Sequence, residues 1–259
     1  MDGVLWQDQT PIGNLKELFK ILNVDNIQYS FATNNSTKTI NEYQVRLEDM
    51  GIPVKSESIV TSGTTIARML LEYFPSGGPI FILGENGLNE TLNEFGFYHE
   101  ERNAIAVVGG LDRQINYEKL KRATLLLQKL PFFYTNADTT FPTPDGIIPG
   151  AGSILRALEI GSGNNAIVAG KPKPIMFQHA MQILGDPPEE TMVIGDRLDT
   201  DNLGGLNAGC FTAMVLSGIS SKEDLEISTY QPHWVFNELS DLTELDLFIL
   251  RHPNPWIDP

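Results

Sequence analysis

The sequence of 259 residues has one cysteine and few positive charges. Cys210 alone cannot form an internal disulfide, and no secretory apolar segment opens the chain, so we expect a reducing, cytoplasmic setting. No apolar run approaches the roughly 18 residues of a membrane span. With 18 Lys and Arg against 33 Asp and Glu, the formal net charge is −15. Because the acidic residues are spread along the chain, nucleic acid and anionic membranes are excluded as expected partners.

The amino-acid composition is typical of a globular protein. Hydrophobic residues make up 41% of the chain and charged residues 20%, which is enough apolar material for a large core and excludes general disorder. The acidic balance also constrains any anionic ligand, because the overall field repels it. A local cation, a cluster of backbone N–H groups or a metal must therefore overcome that field at short range.

Short β-branched or aromatic runs alternate with amphipathic stretches along the chain. IQYSFAT precedes TINEYQVRLEDMG, and GPIFILG precedes NGLNETLNEFG. This alternation predicts an α/β fold built on parallel sheets. Clusters of Gly, Pro, Ser and Asn at 75–79 and 161–165 predict domain boundaries. We expect an outer domain of 1–75 plus 165–259 and an insert of 76–164.

Parallel sheets bind ligands at the carboxyl ends of their strands, and polar residues follow an apolar run or a turn in four places. They are MDG at 1–3, TNNS at 33–36, GKPKP at 170–174 and GDRLDTD at 195–201. Each segment also has a purely structural interpretation. TNNS could cap the following helix, Lys171 could be a solvated loop lysine, and the three acids of GDRLDTD could form a surface turn.

Taken together and in this order, these segments resemble the motifs of the haloacid dehalogenase superfamily. The motif sequences are most similar to those of its NagD-like or p-nitrophenyl-phosphatase branch, in which MDGVLW, TNNST, FPTPDGIIPGAGSI, GKP and GDRLDTD occur at this spacing. The resemblance covers essentially the whole chain. It implies a doubly wound, Rossmann-like parallel sheet as the core and an α/β cap inserted at 76–164.

The resemblance also implies an activity, namely a Mg²⁺-dependent phosphatase that hydrolyses small phosphorylated metabolites through an aspartyl-phosphate. The resemblance implies that the catalytic groups are Asp2 and Lys171 and that the phosphate-binding groups are Thr33, Asn34 and Lys171. It implies a metal site made of Asp2, Asp196 and Asp201. It also implies two cap residues, Asn136 and Asp138, which either approach the substrate or support their own loop. Lysine suits a phosphoryl group as a point charge, and Mg²⁺ prefers oxygen ligands.

The sequence departs from the family pattern at its first motif. The nucleophilic aspartate of that motif belongs immediately before Met1, and we expect it at the end of an apolar strand on that side. Two other interpretations remain open: a phosphate-binding or regulatory protein without turnover, and a phosphorylatable receiver domain, which needs about half this length and no cap. The sequence does not distinguish among possible substrates, and it leaves open whether the chain forms a homo-oligomer.

Overall fold

The structure is a computed structural model that describes residues 1–143 and 146–243, so Pro144 and Asp145 of the quoted cap segment lie outside the described residues. Its strands are β1 (Trp6–Gln7), β2 (Thr10–Pro11), β3 (Phe31–Thr33), β4 (Ile59–Thr61), β5 (Gly78–Leu83), β6 (Phe97–His99), β7 (Val107–Gly109), β8 (Phe132–Tyr134), β9 (Thr140–Thr143), β10 (Gly146–Pro149), β11 (Ile167–Val168), β12 (Met192–Gly195), β13 (Phe211–Val215) and β14 (Trp234–Phe236). Its α-helices are α1 (Leu15–Val24), α2 (Ile40–Asp49), α3 (Ser62–Tyr73), α4 (Asn86–Glu94), α5 (Tyr117–Leu127), α6 (Ala151–Ser162), α7 (Ile175–Leu184), α8 (Leu203–Asn207) and α9 (Lys222–Ile227). The α/β class predicted from the sequence is confirmed. Within the described ranges, every helix is too short or too polar to cross a membrane.

The described chain packs as two compact units. Unit 1 comprises Met1–Ala32, Tyr43–Val60 and 171–243, and unit 2 comprises Thr33–Glu42 and Thr61–Gly170. The segment 76–164, predicted as an insert, lies within unit 2. That unit also takes in the loop after β3, and each unit therefore carries its own share of the predicted site residues.

Unit 2 is built on a parallel sheet of five strands in the order β11, β8, β7, β5, β6. Apolar side chains of the sheet and of α5 and α6, among them Leu83, Val107 and Leu155, form its core. The side chain of Asn116 caps α5 by accepting a hydrogen bond from the Lys119 N–H at 2.9 Å. This sheet holds the loop after β8, which carries two of the predicted cap residues.

Unit 1 contains the parallel strands β12, β13 and β14, and β3 pairs with β4. The hydrophobic run from Met192 to Gly195 forms β12, and the acidic segment GDRLDTD follows directly. Cys210 precedes β13 and packs with its Sγ 3.5 Å from the sulfur of Met181. Burial raises the pKa of the Cys210 thiol to about 11, as expected for a packed rather than a reactive cysteine.

Unit 1 also contains a partly open cavity of about 230 Å³. Its lining includes the unbroken runs 27–32, leading into β3, and 190–194, leading into β12. Because successive side chains of a strand point to opposite faces, unbroken runs indicate that the cavity follows the strand edges. Residues of α1 and α7 supply much of the remaining apolar lining. Within the described residues, β12 pairs with β13 alone and β3 with β4 alone.

This cavity is partly open to solvent, and both polar and apolar side chains line it. Strand edges on two sides and helices along the remaining lining are the surroundings of a central strand in a parallel sheet.

Candidate active site

The carboxyl end of β12 brings two buried carboxylates together. Asp196 follows the last residue of β12, and a single π-helical turn at Leu198–Asn202 carries Asp201. A Cβ atom added to Gly195 would lie 2.1 Å from the Cβ of Asp201, so the turn packs directly on the end of the strand. π turns are rare and occur mostly at functional sites. The burial of both Asp196 and Asp201 argues against an ordinary acidic surface turn.

Lys171 forms a buried ion pair with Asp201. Its Nζ lies 2.5 Å from the Asp201 Oδ1, and the two side chains are 8% and 10% exposed. Burial opposes ionisation of Asp201, but the charge of Lys171 and the hydrogen bond from Lys171 hold its pKa below the usual value. Lys171 is thus a paired, oriented cation rather than a solvated loop lysine.

The Asp196 carboxylate is enclosed by backbone. Its Oδ2 accepts a hydrogen bond from the Ile219 N–H at 3.0 Å, and its carbonyl oxygen accepts one from the Ser220 N–H at 3.0 Å. A Cβ atom would come within 2.4 Å of Oδ2 at Gly3 and within 2.2 Å at Gly218. Burial and, next, the charge of Asp201 raise the pKa of Asp196. A hard cation here would relieve the repulsion between the two carboxylates.

The first residues of the chain belong to the same cluster. The Ser217 hydroxyl donates to the Gly3 carbonyl at 2.8 Å, which fixes the turn that starts at Asp2. The charged groups of Lys171, Asp201, Asp196 and Asp2 all act electrostatically at the Met1 nitrogen. The side chains of these three aspartates and Lys171 therefore lie within electrostatic range of one nitrogen atom. Asp2 itself remains exposed to solvent.

In unit 2, the segment 33–36 is a loop and not a helix cap. The helix α2 is preceded by Thr39, which exchanges hydrogen bonds with Glu42 in a capping-box pattern. The buried Thr33 accepts a hydrogen bond on Oγ1 from the Asn35 N–H at 3.2 Å. Because that oxygen accepts from the backbone, its hydroxyl proton is available to donate to a ligand. The capping interpretation of TNNS is therefore wrong.

The two predicted cap residues form hydrogen bonds with Asn34. The Asn34 Nδ2 donates to the two carboxylate oxygens of Asp138 at 3.2 and 3.1 Å. The Asn136 Nδ2 donates to the Asn34 carbonyl at 2.8 Å, and the Ser62 hydroxyl donates to the same carbonyl at 2.5 Å. The loops after β3 and β8 and the start of α3 thus meet at one residue.

The structure therefore groups the predicted residues into two sets. Asp2, Lys171, Asp196 and Asp201 lie together in unit 1, and Thr33, Asn34, Asn136 and Asp138 lie together in unit 2. Sequence reasoning missed Ser62 and the loop after β13, because a serine at a helix start and the segment LSGIS look like ordinary connections. Within the described ranges, no three His, Cys, Asp or Glu side chains converge in a metal-holding arrangement.

Comparisons with known proteins identify the family of the chain. The sequence profile described as haloacid dehalogenase-like hydrolase matches residues 1–98, and a second profile, described as HAD-hydrolase-like, matches residues 168–242. An acid sugar phosphatase of Staphylococcus aureus is 35% identical over 249 residues, which is 95% of this chain and 96% of that protein.

Solved structures give the same result. A 4-nitrophenylphosphatase from Thermotoga maritima matches with a TM-score of 0.90 and 34% identity, covering 95% of this chain and 94% of that one. A glycerol phosphate phosphatase from Mycobacterium tuberculosis, solved in complex with magnesium, matches with a TM-score of 0.84 and 28% identity over 93% of this chain and 74% of that one. The similarity extends over nearly all of the chain.

Proposed function

The chain belongs to the haloacid dehalogenase-like hydrolases, and we propose that it is a Mg²⁺-dependent phosphatase acting on small phosphorylated metabolites. The observation that carries this proposal is the buried ion pair of Lys171 and Asp201 beside the enclosed carboxylate of Asp196. A buried, oriented cation next to a cation-binding carboxylate is what a chain of net charge −15 needs to accept a phosphate. The relatives named above as phosphatases of acid sugar, glycerol phosphate and 4-nitrophenyl esters support small monoesters as substrates.

Phosphate binding is assigned to Lys171, Thr33 and Asn34. The Lys171 ammonium neutralises charge that develops on the phosphoryl oxygens, and its pairing with Asp201 keeps it oriented. The Thr33 hydroxyl and the backbone N–H of Asn34 supply neutral donors. Preorganised donors of this kind stabilise a transition state at little reorganisation cost.

Acid–base chemistry is assigned to Asp2. In the first step an aspartate attacks phosphorus, the bond from phosphorus to the ester oxygen breaks, and Asp2 donates its proton to that leaving oxygen, which leaves a covalent aspartyl-phosphate. In the second step Asp2 takes a proton from the water that attacks this intermediate, and phosphate is released with the aspartate restored. The exposure of Asp2 gives it access to both groups, and the contact of the neighbouring Gly3 with Asp196 keeps it at the site.

The residues fit a hard divalent cation. Asp196 is the principal ligand, with Asp2 and Asp201 nearby, and the rest of the coordination shell is left to water and phosphate oxygens, as Mg²⁺ commonly allows. The raised pKa of Asp196 reflects burial and repulsion by Asp201, which a bound cation would offset. When bound, Mg²⁺ would neutralise charge on the phosphoryl group.

The nucleophile is assigned to an aspartate bonded to the nitrogen of Met1, at the end of an apolar strand that fills the unit 1 cavity. The strand edges along that cavity support this assignment, because a strand there would pair with both β3 and β12. Met1 lines the cavity, and its nitrogen is within electrostatic range of Lys171. A residue attached to that nitrogen would therefore enter the cluster of charged groups.

Two N-terminal extensions test the proposal. Both add six residues before Met1, five apolar residues followed by Asp in one protein and by Asn in the matched control. We expect both to raise the thermal unfolding midpoint, because both fill the cavity, and only the Asp extension to hydrolyse 4-nitrophenyl phosphate with Mg²⁺. The protein that starts at Met1 should show no turnover above background, since removing a nucleophile lowers kcat by several orders of magnitude.

Two outcomes would contradict this assignment. Mg²⁺-dependent hydrolysis by the printed chain that Asp2→Asn abolishes would show that Asp2, or a group acting with it, is the nucleophile. Tight phosphate binding without turnover in either extended protein would favour a binding or regulatory role instead.

A further inference from the structure

We infer that Asp138 and Asn136 are positioning residues that act through Asn34 to hold the phosphate-binding loop in its binding conformation. The inference rests on the proposed function, since it concerns the loop assigned there to phosphate. It gives Asp138 and Asn136 a role different from direct substrate contact.

The first step of the argument is the direction of the Asn34 side chain. Its Nδ2 faces both carboxylate oxygens of Asp138, at 3.1 and 3.2 Å. At the other end of the amide, a Cβ atom on Gly170 would lie 2.7 Å from the Asn34 Oδ1. The amide nitrogen thus donates to a protein carboxylate, and the amide oxygen lies against the backbone of Gly170. A phosphate would therefore be met by backbone N–H groups and the Thr33 hydroxyl rather than by this amide.

The second step concerns the peptide that follows. The Asn34 carbonyl accepts hydrogen bonds from the Ser62 hydroxyl at 2.5 Å and from the Asn136 Nδ2 at 2.8 Å. A carbonyl held by two donors fixes the plane of the peptide joining Asn34 to Asn35. The next N–H, that of Asn35, then points to the Thr33 Oγ1 at 3.2 Å. The orientation of the Thr33 hydroxyl therefore depends on contacts made by Asn136.

The third step is that the two positioning residues fix each other. The Asp138 N–H donates to the Asn136 Oδ1 at 3.1 Å, which turns the Asn136 amide nitrogen toward Asn34. Asn136 is 5% exposed and Asn34 is 8% exposed, so exchange of these contacts for water is restricted. A buried polar network of this kind holds one arrangement when its members are satisfied.

The test is a double-mutant cycle on phosphate affinity. Orthophosphate binding to the printed chain with Mg²⁺ is measured by calorimetry for the unaltered protein, Asp138→Ala, Asn34→Ala and the double variant. If Asp138 acts through Asn34, each single variant binds about tenfold more weakly and the double variant is no worse than either alone. Independent contacts with the ligand would instead give multiplying losses.

A matched control separates this role from general stability. Asp112 is a buried carboxylate of unit 2 whose Oδ2 lies 2.6 Å from the Lys119 Nζ. Asp112→Ala should lower the thermal unfolding midpoint and leave orthophosphate affinity unchanged in folded protein. Asp138→Asn should restore part of the affinity lost in Asp138→Ala, because its side-chain oxygen can still accept one hydrogen bond from Asn34.

The outcomes distinguish the two proposals. No measurable orthophosphate binding by the unaltered chain would reject the phosphate loop itself and the positioning role with it. Binding that the Asp138 and Asn34 variants retain in full would reject the positioning role alone. Losses that multiply in the double variant would show that Asp138 acts independently of Asn34 and would also reject the positioning role.

Discussion

Asp196 and Asp201 are five positions apart, yet their surroundings shift their pKa values in opposite directions. Asp196 is buried beside another carboxylate, and its pKa is raised. Asp201 is buried against the Lys171 ammonium, and its pKa is lowered. The two acids therefore have different roles at this site: Asp201 orients the lysine, and Asp196 is the group with most to gain from a bound cation.

We expect Asp196→Asn to weaken Mg²⁺ binding at least tenfold in calorimetry, because the substitution keeps the shape of the side chain and removes its charge. Asp199→Asn is the matched control. Asp199 lies on the same turn, but its side chain is 65% exposed and pairs with Arg197. Equal Mg²⁺ affinity of Asp196→Asn and the unaltered chain would rule out Asp196 as the principal ligand.

At the scale of elements, the loop after β13 shapes the site as much as β12 does. It supplies the Ile219 N–H to the Asp196 carboxylate and the Ser217 hydroxyl to the Gly3 carbonyl. Because β12 and β13 are parallel neighbours in register, with Gly195 opposite Met214, their following loops emerge side by side. The position of the Asp196 carboxylate therefore depends on a loop that has no charged residue at the contact.

Gly218→Ala tests that dependence. A Cβ atom there would lie 2.2 Å from the Asp196 Oδ2, so the carboxylate or the loop must move. We expect Mg²⁺ affinity to fall about tenfold although no charge changes. Gly161→Ala is the control, because its Cβ would meet only Thr124, at 3.3 Å or more, and alanine favours a helix. Unchanged Mg²⁺ affinity in Gly218→Ala would show that the loop yields without moving Asp196.

The helices and strands also show how much of the fold and of the site the sequence predicts. Strand and helix alternation and the polar residues at strand ends were visible in the sequence, because both are local patterns. The burial of Lys171 was not, since its partner Asp201 lies 30 positions away. The sequence analysis places the segment NAIVAG in the outer domain. In the structure this segment forms β11, which pairs with β8 of unit 2. Strand partners are tertiary choices that periodicity alone does not encode.

At the scale of the whole molecule, the net negative charge of the chain repels the phosphate proposed as its ligand. The chain carries a formal net charge of −15, and among the lysines and arginines of the described ranges Lys171 alone is buried. Salt screens exposed charges more than buried ones. The repulsive outer field and the attractive buried cation should therefore respond differently to ionic strength.

We expect orthophosphate to bind about threefold or more tightly when NaCl is raised from 10 to 150 mM, as the Debye length falls from roughly 30 to 8 Å. Mg²⁺ provides the internal control, because the same acidic field attracts it, and its affinity should fall over that range. Both affinities are measured by calorimetry on one protein stock. Orthophosphate binding that weakens with salt would mean that exposed positive charge around the site outweighs the net charge.

The cavity of unit 1 also affects how molecules of this chain meet one another. The edges of β3 and β12 that border it carry backbone N–H and C=O groups with no strand partner among the described residues. Such edges are templates for pairing with another chain. An extended segment from a second molecule that enters the cavity would bury apolar surface and complete both ladders at once. We therefore expect a molecule whose cavity is left open to self-associate by strand exchange, increasingly with concentration and temperature, and we expect a strand from the same chain that fills the cavity to suppress that exchange.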